Sequence, residues 1–128
     1  MNTPASPLHV RWLGRVPYAE ALALQHALFA SGIDQHLLLL EHHHAFTYGH
    51  NADLAKNLQC DPQQIGAELI EVQRGGDVTY HGPGQLVGYP ILNLPPKHGT
   101  NGPADTAAYV HEVEQLVIDS LEQLGIGD

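Results

Sequence analysis

One stretch concentrates the side chains that bind and orient polar groups. Arg74-Gly75-Gly76-Asp77-Val78-Thr79-Tyr80-His81 runs on through Gly82-Pro83-Gly84-Gln85-Leu86-Val87-Gly88-Tyr89-Pro90, with five glycines and two prolines in seventeen residues. Glycine loses more backbone freedom on ordering than any other residue, so such density suits a main chain that another molecule approaches closely. Gly75-Gly76 lets a ligand lie against the backbone and leaves amide N–H groups to meet an oxygen, while Arg74 adds a cationic fork. An acyl carbonyl or a phosphate fits that chemistry. Thr79, Tyr80 and His81 add a hydroxyl, a phenol and an imidazole, enough to orient a polar head while aliphatic neighbours wall a tail. Neither G-x-G-x-x-G nor G-x-x-x-x-G-K-[ST] occurs here, so no nucleotide fingerprint is present. Taken alone, the glycines also fit a tight hairpin with His81 bonded to backbone carbonyls.

The other reactive side chains carry weaker signals. In an extended segment His42 and His44 of the His42-His43-His44 run share a face, with His50 as a third imidazole. That spacing matches no standard zinc pattern, so no metal site is expected, and the simpler picture is a partly exposed loop with His42 bonded locally. Cys60, the single cysteine, reads as a small, partly buried hydrophobe. It has no disulfide partner, which agrees with a reducing, cytoplasmic setting. His26, His111, Arg11 and Arg15 read as solvated.

These residues need a scaffold, and composition bounds it. A chain of 128 residues with 43% apolar and 15% charged side chains suits one packed domain. Five Lys+Arg against 14 Asp+Glu give a net charge of −9, so the cationic face that holds nucleic acid is missing. The longest strongly apolar run, residues 37–40, is far below the ~20 residues that span a bilayer, and the first residues do not read as a signal or transit peptide. Residues 1–7 read as a loose extension and 8–128 as the domain. Alternation over residues 8–12 predicts a strand with one buried apolar face. Pro17 opens a helix over 18–31 that buries Ala21, Leu24 and Leu28 and stops at Gly32. Residues 35–41 read as a strand covered on both faces or part of a buried helix, with the shortness of the run favouring the strand; 51–67 read as short helical turns with Asp61-Pro62 as a cap, and 68–73 as a strand feeding the glycine ribbon. Residues 78–80 and 85–92 are further strands, and Asp105 caps a long amphipathic helix ending at Gly125. The class is therefore α+β, a mixed sheet flanked by helices.

R-G-G-D-V-T-Y-H-G-P-G-Q-L-V-G-Y-P-I-L, from Arg74 to Leu92, closely resembles the signature of the lipoyl(octanoyl) transferase family. Leu40-Glu41-His42, Phe46-Thr47-Tyr48-Gly49, Ala52-Asp53-Leu54 and the Asp105 helix extend the similarity over residues 8–124, the family's N-terminal portion. The resemblance implies a biotin/lipoate-ligase-like catalytic fold, C-terminally truncated. It implies an acyltransferase that moves an octanoyl group from octanoyl-acyl carrier protein to a lysine of lipoyl domains, through a cysteine thioester and without a cofactor. Arg74, Gly75, Gly76, Asp77, Val78, Thr79, Tyr80 and His81 would line the acyl pocket. The family's catalytic cysteine and lysine belong to the portion after the last helix seen here, so neither Cys60 nor Lys97 inherits a catalytic role, and the chain alone is expected to be inactive. Prolines are usual in the family where His43 and His44 stand. A non-catalytic acyl- or carrier-binding remnant and an ATP-dependent lipoate ligase relative are the alternatives.

Overall fold

The computed structural model describes residues 6–127. The chain divides into two compact units, one up to Leu92 and one from Asn93.

The first unit begins with β1 (Leu8–Val16), α1 (Tyr18–Ser31) and β2 (Gln35–His42). Pro17 fixes the entry to α1, and Gly32 ends it at φ 59° with its N–H on the Leu28 carbonyl, a left-handed position that suits a residue without Cβ. The α1 crossover makes β1 and β2 parallel neighbours. Alternation then sorts β2. His36, Leu38, Leu40 and His42 are buried, while Leu37, Leu39 and Glu41 on the other face are half-buried. Leu38 and Leu40 meet Ala21 in the core, with Leu24 and Leu28 packed around them. Each of these two leucines contributes ~1.5–3 kcal/mol by leaving water.

β1 corrects one expectation. Leu8, Val10 and Trp12 are 50%, 57% and 62% exposed, so the alternating apolar face points outward. Gly14 at φ 72° and a register shift between Trp12 and Arg15 turn the strand, so that Leu13 and Val16 reach the core instead.

β3 (Ala45–Tyr48), α2 (Leu54–Asn57) and a 3₁₀ turn over Pro62–Ile65 follow, and the carboxylates of Asp53 and Asp61 cap the two turns. β4 (Glu68–Glu71) pairs parallel to β3, and β5 (Val78–His81) pairs antiparallel to β3's other edge. β6 (Val87–Ile91) instead joins the first sheet, antiparallel to β2. The result is two three-stranded mixed sheets, β1-β2-β6 and β4-β3-β5, in keeping with the α+β class. Pro90 is tolerated because β6 is an edge strand. Because β5 and β6 belong to different sheets, the turn at residues 82–84 is a passage between sheets and the tight-hairpin account of the glycines fails. Cys60 is exposed, not partly buried, because it stands in the open turn between α2 and the Asp61 cap.

The second unit holds α3 (Thr106–Gln123), where the Asp105 carboxylate accepts from the Ala108 N–H and Gly125 follows at φ 75°. α3 buries none of its side chains. Val110, Leu116, Val117 and Ile118 are each half exposed or more. Among the described residues, no helix is long and apolar enough to cross a membrane.

Candidate functional site

The ribbon begins where β4 ends. Val72 N–H donates to the Tyr48 carbonyl and keeps the chain beside β3 as far as Arg74. There the backbone crosses Gly49, a buried residue just past β3. A Cβ built on Gly49 would stand 2.5 Å from the Arg74 carbonyl oxygen and 2.9 Å from that of Gly76. Only glycine leaves room for that crossing. Gly76 makes the next bend at φ 84°. Asp77 closes the ribbon by accepting from Asn57 Nδ2 at 2.6 Å and from the Val78 N–H at 2.9 Å.

Gly75 marks the opening. A Cβ there would meet nothing within 4 Å, and Gly75, Gly76 and Asp77 are all exposed. Among the described residues, the N–H groups of these three have no protein acceptor. They are a short run of unpaired donors in exposed backbone, groups able to receive a carbonyl or phosphoryl oxygen. Arg74 lies beside them. Its Nη2 donates to the Thr47 carbonyl at 2.9 Å and to Thr47 Oγ1 at 3.0 Å, and its Nη1 to the Gly75 carbonyl at 2.9 Å. Among the described residues Arg74 has no carboxylate partner.

At the far end of β5 four rings gather. His42 and His81 stand 5.7 Å apart edge to face, Tyr18 lies 5.0 Å from His42 and stacks on His81 at 6.0 Å, and Tyr89 is 5.8 Å from His42. His42, fully buried, has a tautomer fixed by its partners. The Val16 carbonyl only accepts, so Nδ1 carries the proton (2.8 Å), and Nε2 accepts from the Tyr89 hydroxyl (2.7 Å). Burial holds the His42 pKa below the ordinary histidine value, with His81 and His43 adding to the shift and the Val16 bond opposing it. Burial, reinforced by Tyr18, pushes the Tyr89 phenol up to about 12, so it remains a donor. The expected local bonding of His42 in an exposed loop is thus overturned: it ties the end of β2 to β1 and β6 inside the core.

His81 donates from Nδ1 to Gln85 Oε1 at 2.8 Å, and Gln85 Nε2 donates to the Tyr80 carbonyl at 3.4 Å. The Tyr80 hydroxyl pairs with His44 Nδ1, and its ring lies 5.1 Å from Phe46. A Cβ on Gly82 would meet the outer end of the Tyr80 ring, which would have to turn aside. His50 pairs with Glu71 at 3.2 Å. His42, His44 and His50 therefore go to three separate partners, and among the described residues no three metal-ligating side chains converge.

The eight residues singled out from sequence are contiguous in the chain and run from the glycine ribbon into β5, whose alternation puts Val78 and Tyr80 on one face and Thr79 and His81 on the other. Sequence assigns no role to Tyr18, and to Thr47, Gly49 and Tyr89 none beyond membership of similar segments. The signal for Gly49 was available, since a glycine directly after a strand of β-formers marks a close backbone approach. Nothing in the sequence paired Thr47 with Arg74. The second unit has its own groove of about 330 Å³, lined by Leu94, Pro95, Pro96, His98, Tyr109 and Glu112 among others.

Residues 17–127 match the family model described as the lipoyl protein ligase A/B catalytic domain. Similar curated proteins are named octanoyltransferase. That of Solibacter usitatus is 47% identical over 123 residues, 91% of this chain and 54% of its own length. That of Myxococcus xanthus is 47% identical over 133 aligned positions, 98% of this chain and 34% of its own. That of Acidobacterium capsulatum is 42% identical, covering 93% of this chain and 52% of its own. The chain spans about half the length of most of these relatives. The family model covers nearly all the described residues, and the two mixed sheets with helices agree with it: the chain belongs to the lipoyl protein ligase A/B catalytic domain family.

Proposed function

We propose that this chain forms the acyl-binding part of an octanoyltransferase, which moves an octanoyl group from acyl carrier protein to a lysine of lipoyl domains. The observation that carries this reading is the run of exposed, unpaired amides at Gly75, Gly76 and Asp77 beside the cation of Arg74. A thioester carbonyl is a weak acceptor that gains from several donors fixed in advance, most of all as negative charge grows on its oxygen during acyl transfer. In this reading Thr79, Tyr80 and His81 border the acyl group beyond the ribbon. The names of the similar proteins supply the acyl group.

The full reaction in this proposal is a two-step exchange. A thiolate displaces the carrier's thiol to give an acyl-enzyme, and the target amine then displaces the thiolate. This chain contributes binding and orientation to that sequence. Its one thiol, Cys60, stands free in an exposed turn, and this reading gives it no part as the nucleophile. A free, exposed thiol also suits the cytoplasmic setting that we assign to the reaction.

Calorimetric titration with octanoyl-pantetheine, a carrier-free acyl thioester, tests the proposal. Saturable binding without ATP is the expected result. Binding only of free octanoate in the presence of ATP would replace the transferase reading with that of an acid-activating ligase. Intact-mass measurement after incubation should show no octanoylated chain, and stable acylation of Cys60 would overturn the assignment.

A further inference from the structure

We infer that Arg74 is a positioning residue: it acts by strapping the glycine ribbon to β3 through Thr47, not by offering its guanidinium to the ligand. This rests on the acyl-binding reading above and assigns the roles within that site.

The argument begins with donors. Both bonds from Nη2 end on Thr47, one on its carbonyl and one on its hydroxyl, and an Nη1 bond returns to the Gly75 carbonyl. Most of the fork is therefore already spent inside the protein. Thr47 is 1% exposed and sits within the central strand of its sheet, between Ile70 on β4 and Thr79 on β5. A strap anchored there cannot drift. Two residues further along the chain, Gly49 provides the seat on which the Arg74 and Gly76 carbonyls rest. One end of the ribbon is thus held from the side by a charged fork and from below by the absence of a Cβ. The other end is held by Asn57 on Asp77. Between these two fixings lie only Gly75 and Gly76, whose amides remain open. The carbonyls of the ribbon turn inward, toward Arg74 and Gly49, so that the charge of the fork fixes the backbone while the N–H groups are left for an incoming oxygen.

The two roles separate under substitution. Arg74→Lys keeps the charge and loses the planar fork. Thr47→Val removes the buried hydroxyl that accepts from the fork and alters no group that could meet a ligand. If Arg74 positions, each variant weakens octanoyl-pantetheine binding about tenfold, as losing a charge-assisted bond does. The double variant is then no worse than Arg74→Lys alone, because the bond that Thr47→Val removes is one that Arg74→Lys has already lost. Thr47→Ser, which keeps the hydroxyl, restores binding. Hydrogen exchange at the Arg74 and Val78 amides, which are bonded at the ribbon's two ends, quickens in Arg74→Lys and Thr47→Val and returns to normal in Thr47→Ser. Urea melts of every variant check that the fold persists.

Unchanged binding in Thr47→Val, or additive losses in the double variant, would show the guanidinium meeting the ligand directly and would overturn the inference. If the parent chain fails to bind the thioester, the acyl reading falls. The strap is then judged on exchange alone: quickened ribbon amides uphold it and unchanged ones refute it.

Discussion

Replacing Gly49 with alanine loads the crossing between the ribbon and β3. The new methyl would stand 2.5 Å from the Arg74 carbonyl oxygen, where ordinary contact begins at 3.4 Å, so that oxygen must retreat by about 0.9 Å. The Gly76 oxygen at 2.9 Å must retreat as well. Both obstacles are backbone, so no side-chain rotation relieves them. Overpacking of this kind costs ~1–3 kcal/mol. Alanine also narrows the unfolded ensemble, which returns ~0.4–1 kcal/mol. A net loss of about 1–2 kcal/mol remains, enough to lower a urea midpoint by about 1 M at typical slopes. The ribbon is the part free to move, so exchange at Val78, bonded to Asp77 Oδ1, should quicken together with the drop in midpoint. A Gly49→Ala chain within ~0.5 kcal/mol of the parent, the ordinary range for surface changes, and with unchanged Val78 protection would refute the crossing.

Other substitutions test separate links. Gly75→Ala adds a methyl to open space at ordinary φ, so the melt should hold or improve slightly while octanoyl-pantetheine binding is lost; calorimetry and a urea melt read the two effects. His42 couples stability to pH. Its folded pKa lies below the ordinary value of 6.5, so below that value the unfolded chain takes a proton that the folded one resists. Its contribution is therefore full above pH 6.5 and is lost as pH falls toward the depressed folded value, by at most about 1.4 kcal/mol per pH unit. Urea melts at pH 7.5 and 5.5 should show a smaller difference in His42→Gln than in the parent. On α3, Leu116 is 59% exposed, so Leu116→Lys should leave the melt within ~0.5 kcal/mol while reducing the binding of an apolar-surface dye.

Local signals carried well into the structure. Pro17, Gly32, Asp61-Pro62 and Asp105 were readable as helix stops and starts because capping is decided within a few residues, and all act so. The leucine run of β2 was readable because a covered strand needs apolar residues on both faces. Leu8, Val10 and Trp12 misled because alternation reveals that two faces differ, not which of them is covered, and the turn at Gly14 redirected the strand. Within the site the eight ribbon residues were legible as a glycine-dense unit. Their supports were not: Thr47 and Arg74 are 27 residues apart, as are no sequence-local partners, and His42 meets Tyr89 across 47. Such pairings are set when β3 and β4 come together in one sheet and β2 and β6 in the other, and no local pattern encodes that event.

The most direct measurement follows backbone amide resonances of the isotope-labelled chain as octanoyl-pantetheine is added. The account predicts saturable shifts greatest at Gly75, Gly76 and Asp77, spreading to Thr79 and His81, with Cys60 unmoved. Saturable shifts centred elsewhere, with those three amides unchanged, would contradict it.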